Sequence, residues 1–90
     1  MIYIEIKMDP TVKLADLKVG DKAKILGFNP GSISYQQKLL AMGLVPDAEF
    51  IVVRIAPLGD PIELRIHNFS LCVRRKEGEI LQLERMGRIA

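Results

Sequence analysis

Residues 49–75, EFIVVRIAPLGDPIELRIHNFSLCVRR, read as three short strands joined by two tight reversals. Glu49 to Ala56 is rich in isoleucine and valine, which fit a pleated, half-buried surface, and Ile51, Val53 and Ile55 are its expected core face. Pro57-Leu58-Gly59-Asp60-Pro61 is a rigid reversal: both prolines hold φ, and the glycine is free to take a positive value. Ile62 to Ile66 then alternates Ile62, Leu64 and Ile66 with Glu63 and Arg65, the period-two signature of a strand with one buried face. His67-Asn68 turns the chain into Phe69 to Arg75, where Phe69, Leu71 and Val73 share a face.

The same pattern extends in both directions. Lys76-Glu77-Gly78 reads as a turn, Glu79 to Glu84 as a strand with Ile80 and either Leu81 or Leu83 inward, and residues 86–90 as a loose tail. On the N-terminal side, Lys22 to Phe28 is a strand in which Gly27 invites a bulge. A helix is expected over Tyr35 to Met42, with Ser34 and Gln37 as a capping box and Gly43 as its terminator. Val12 to Leu17 is one turn that packs Leu14 and Leu17. Residues 1–9 form an additional N-terminal strand, with Ile2, Ile4, Ile6 and Met8 on one face and Asp9-Pro10 ending it. The expectation is a single, mainly β domain over 1–90. It is a small closed or partly open barrel of five to six strands with one short helix inserted after the first barrel strand.

Composition narrows what such a barrel does. Ninety residues with 49% hydrophobic content suffice for one core and not for two. Thirteen Lys and Arg against eleven Asp and Glu leave +2, which argues against a strongly electrostatic nucleic-acid binder. One cysteine and one histidine exclude a disulfide framework and a closed Cys/His zinc site within a single chain. No apolar run approaches the roughly 18 residues of a membrane span, so direct membrane insertion is not expected. Nor does the N-terminus have a basic segment followed by an apolar block, and a lone thiol fits a reducing cytoplasm.

Few residues could carry chemistry. A nucleophile–base pair would have to combine His67 with Ser70 or Cys72, but a turn histidine is usually solvated, and a cysteine between Leu71 and Val73 usually behaves as a small buried hydrophobe. No catalytic residue and no metal ligand set is therefore assigned. No cofactor is expected, beyond weak or interfacial transition-metal binding between copies. Arg74-Arg75-Lys76 is the densest basic run, partly neutralised by Glu77 and Glu79, and no aromatic side chains interleave with it for base stacking. The 57–61 reversal stands apart, because a rigid loop presenting an exposed Leu58 loses little entropy on docking.

Three segments, Lys38 to Asp47 (KLLAMGLVPD), Ala56 to Ile62 (APLGDPI) and Leu71 to Arg75 (LCVRR), together with the upstream Leu14 to Asp21 (LADLKVGD), resemble the ferrous iron transport protein A (FeoA) family over about residues 14–84. The resemblance implies an SH3-like barrel, a cytoplasmic location extending to the inner face of the membrane, and an accessory role in ferrous iron uptake. The implied partner is the membrane ferrous iron transporter with a G-protein domain, ferrous iron transport protein B. On this reading the partner-binding residues are Leu58, Gly59 and Asp60 in the rigid loop, Gln37 and Lys38 on the helix, and Arg74 and Arg75. Their roles are an apolar anchor, a polar rim and charge complementarity. Two features depart from the family pattern: residues 1–9 precede the usual start, as a strand that either extends the sheet or pairs between copies as a homo-oligomer, and Asp47 stands where a glycine is common. Two alternatives are a metal-responsive regulatory SH3-like domain and a nucleic-acid- or ribosome-associated small barrel using residues 74–76.

Overall fold

A computed structural model describes residues 11–88. Six strands form one antiparallel sheet: β1 (Thr11–Val12), β2 (Asp21–Phe28), β3 (Glu49–Ile55), β4 (Ile62–Ile66), β5 (Phe69–Val73) and β6 (Leu81–Arg88), in the spatial order β1-β6-β2-β3-β4-β5. A 3₁₀ turn over Leu14–Asp16 follows β1, helix α1 (Ile33–Ala41) separates β2 from β3, and a one-turn helix α2 (Arg75–Gly78) separates β5 from β6. The expected strand over residues 2–8 lies outside the described residues.

The sheet curls around one core. Ala23 and Ile25 of β2, Phe50 and Val52 of β3, Ile62, Leu64 and Ile66 of β4, Val73 of β5, and Leu81 and Leu83 of β6 all point inward. Leu39 of α1 and Leu44 just beyond it close one end, and Leu14 and Leu17 close another. The edge strands β1 and β5 are not neighbours in the ladder, so the segments that follow them complete the barrel. Gly78 of α2 packs directly on the Leu14 side chain, leaving no room there for a Cβ. A curled sheet whose edges are covered in this way presents little unpaired backbone to solvent.

Local chemistry explains the elements. The Ser32 hydroxyl accepts from the Tyr35 amide at 3.3 Å and caps α1, so the helix begins at Ile33 rather than Tyr35, and Ser34 and Gln37 do not form the expected box. A serine two positions earlier competes for the same orphan amides, and that Ser32, following the bend at Pro30-Gly31, has the extended backbone of an N-cap. At the other end Gly43 takes φ +97, with its amide bonded to the Leu40 carbonyl and the Leu44 amide to the Leu39 carbonyl, a complete Schellman motif. In β2 the ladder to β6 is irregular between Ile25 and Gly27, where the glycine was expected to bulge.

Several sequence expectations are corrected. In β3 the buried residues are Phe50 and Val52, while Ile51 and Val53 are only half-buried. The aromatic ring takes the core side, and a bulge between Val52 and Arg54 then lets Ile55 rejoin that side opposite Ile62. β5 stops at Val73, and the expected turn at 76–78 is the last three residues of the four-residue α2. Phe69 and Cys72 are exposed on this edge strand; the cysteine is not the buried hydrophobe its neighbours suggested. β6 runs on to Arg88, through part of the stretch expected as a loose tail. Asp21 opens β2 as a buried carboxylate, accepting from the Lys18 amide at 2.8 Å and from the Arg85 guanidinium at 3.2 Å.

Candidate docking site

The rigid loop between β3 and β4 is built by local hydrogen bonds and by α2. The Ala56 amide bonds the Pro61 carbonyl at 3.1 Å, the Gly59 amide bonds the Ala56 carbonyl at 2.7 Å, and the Asp60–Pro61 peptide is cis. Gly59 takes φ +84 at the tip, a conformation in which any side chain would be strained. Leu58 stands beside it and is 93% exposed, the most exposed large hydrophobic side chain among the described residues.

Asp60 ties this loop to the next element. Its carboxylate accepts from the Arg75 amide at 3.0 Å, the first helical amide of α2, which has no partner inside its own helix. The Arg75 guanidinium lies over Gly59, within 3.0 Å of where a Cβ would stand. Glu77, on the same one-turn helix, forms an ion pair with Lys38 of α1. Loop, α2 and the middle of α1 thus make one connected surface. Of the seven residues expected at a binding site, Leu58, Gly59, Asp60, Arg75 and Lys38 are joined through these contacts. Arg74 is the exposed residue preceding α2, and Gln37 is the exposed neighbour of Lys38.

The contacts also divide the roles. Asp60 is occupied in capping α2, and Arg75 in covering the loop glycine, so both hold the surface in shape. Leu58, Arg74 and Gln37 are exposed, and their side chains make no hydrogen bond or ion pair among the described residues. Glu77 was not among the expected residues. Its link to Lys38 spans 39 positions in the chain and leaves no periodic trace in the sequence.

This surface offers an apolar tip with a cationic flank. Among the described residues no group of three or more His, Cys, Asp or Glu side chains could hold a metal ion. His67 lies at the other end of the β3–β4 hairpin, away from the loop. No helix among the described residues is long and apolar enough to cross a membrane.

A family model for the FeoA domain matches residues 12–85, which include every element from β2 to α2 and most of β6. The chain belongs to the FeoA family. A Fe(2+) transport protein A/Fe(2+) transporter FeoB fusion protein from Porphyromonas gingivalis is 30% identical over 73 residues, which is 81% of this chain. The chain spans only 8% of that relative's length. The solution structure of a FeoA-like protein from Clostridium acetobutylicum superposes with a TM-score of 0.80 at 30% identity, over 92% of this chain and 95% of the other. A zinc-complexed FeoA from Stenotrophomonas maltophilia, described as a prokaryotic SH3 domain protein, gives a TM-score of 0.69 at 17% identity. It covers 81% of this chain and 89% of that one. This last likeness concerns the fold alone, and it places the FeoA barrel described above in the SH3-like class.

Proposed function

We propose that this FeoA-family chain is an accessory module that binds the membrane ferrous iron transporter of the FeoB type, with its G-protein domain, and modulates it from the cytoplasmic side. The observation that carries this reading is the Porphyromonas gingivalis relative, in which a matching segment and a FeoB transporter are one polypeptide. Fusion raises the effective concentration of two modules that work together, into the millimolar range for short flexible linkers. A separate chain must obtain the same proximity from a docking surface, and the 57–61 loop is suited to it. Leu58 supplies a preorganised apolar anchor, and Arg74, Gln37 and Lys38 supply the polar rim. The protein acts by contact, with no chemical step of its own.

The test is co-purification with the detergent-solubilised transporter encoded in the same organism, in the nucleotide-free, GDP-bound and GTP-analogue states, alongside ferrous iron uptake in cells lacking this chain. Association in at least one state and reduced uptake are expected. Absence of association in all three states, with unchanged uptake, would refute the reading.

A further inference from the structure

A second recess lies at the far end of the β3–β4 hairpin, four residues along β3 from the loop end, or about 13 Å at the usual strand rise. It is a cleft of about 240 Å³ on the outer face of the sheet, lined by Lys22, Glu49, Phe50, Ile51, Arg65 and His67. Three of these stand in a row across adjacent strands, since Lys22 pairs with Ile51 and Ile51 with Arg65. His67 follows Arg65 by two residues and opens the β4–β5 turn with φ +52. Lys22 is neutralised by Glu49 at 3.0 Å. Arg65 makes no ion pair and no side-chain hydrogen bond among the described residues, although it faces a cleft whose apolar floor is the outward Ile51, with only the backbone of the core residue Phe50 beside it.

Each of these observations bears on the ligand. An unpaired guanidinium over an apolar floor suits a planar anion carried on a hydrocarbon stem, because the two parallel N–H groups match a carboxylate. A non-glycine residue in the left-handed region costs free energy that a glycine or asparagine would largely avoid, and such positions cluster at binding sites. The volume is below the roughly 300–1,000 Å³ of pockets that enclose drug-sized molecules, so the cleft suits one small group of a ligand rather than a whole nucleotide. Glu49 on the rim repels a dense polyanion more than a single carboxylate, which disfavours phosphate.

We propose that this cleft binds a carboxylate group of an extended acidic peptide segment, with Arg65 as its ion-pair partner, Ile51 beneath its methylene groups, and His67 as a hydrogen-bonding rim. The site is separate from the loop surface and does not depend on the transporter reading.

The test is an amide NMR titration of the full ¹⁵N-labelled chain in low-salt buffer with four probes. They are acetyl-Ala-Leu-Glu-Ala-amide, its Gln counterpart, acetyl-Ala-Leu-Ala-Ala with a free C-terminus, and inorganic phosphate. Saturable shifts at Lys22, Ile51, Arg65 and His67 are expected with a carboxylate-bearing peptide and not with the Gln peptide. Response to the Glu peptide identifies a side-chain carboxylate as the ligand, and response to the free C-terminus alone identifies a terminal one. Arg65→Gln should weaken binding about tenfold or more, as loss of a charge-assisted bond does, without shifting the melting temperature. His67→Gly should weaken binding while leaving the melting temperature equal or higher, since glycine relaxes the turn. The proposal is overturned by the absence of saturable shifts with either acidic peptide, by equal response to the Gln peptide, by tighter binding of phosphate than of the peptides, or by undiminished binding in Arg65→Gln.

Discussion

At Gly43 the backbone of α1 ends in the left-handed region, and the Phe69 ring sits 3.1 Å from where a Cβ would be. Gly43→Ala combines backbone strain with that contact and should cost about 1–2 kcal/mol, read from urea unfolding. Gly78 is the more demanding position, because a Cβ there would drive into Leu14 at the seam that completes the barrel. Gly78→Ala should cost about 1–3 kcal/mol; a neutral result would mean that α2 can move away from Leu14 without penalty. Asp47 shows the opposite case. Its φ of +74 lies where glycine is favoured, and aspartate, among the residues that best tolerate this region, serves instead. Gly43 was legible in the sequence as a helix terminator. Gly78 was not, because its constraint comes from a leucine 64 positions away and local turn chemistry gives the same residues a different reading.

Among the elements, α2 connects the most. Four residues long, it caps through Asp60, pairs through Glu77 with α1, and packs through Gly78 on the 3₁₀ turn. Asp60→Ala should cost about 1 kcal/mol of stability, as loss of a helix-capping side chain does, and should speed hydrogen exchange at the Arg75 amide ahead of the β-sheet amides. If that amide stays as protected as the sheet, Asp60 does not hold the loop to α2. β3 shows why elements were easier to place than their faces. Its extent was plain from the β-branched run, yet the phase was not, since alternating and continuous apolar patterns both fit Phe50 to Val53 and a bulge resets the alternation within the strand. The outward Ile51 that results is what floors the cleft beside Arg65.

Across the molecule, the barrel and the inserted helix α1 followed from strand spacing and turn residues, and the family assignment rests on nearly the same span, residues 12–85. The connection among Leu58, Asp60, Arg75 and Lys38 needed coordinates, because it joins a loop, a one-turn helix and α1 through contacts distant in the chain. The N-terminal alternation of Ile2, Ile4, Ile6 and Met8 lies outside the described residues, and we propose that it pairs as an edge strand, within the chain or between copies. Removing residues 1–8 should lower the mass seen by analytical ultracentrifugation or reduce stability, and a truncated chain unchanged in both would remove that role. The central claim is that the chain docks on a FeoB-type transporter through the Leu58 loop. Replacing Leu58, 93% exposed, by aspartate should leave stability within about 0.5 kcal/mol, so a binding change reports on contact and not on folding. Its affinity for the detergent-solubilised transporter, measured against the unaltered chain by biolayer interferometry, should fall about thirtyfold or more, as loss of an interface anchor does. Equal affinity for both chains, or no measurable binding by either, would contradict the account.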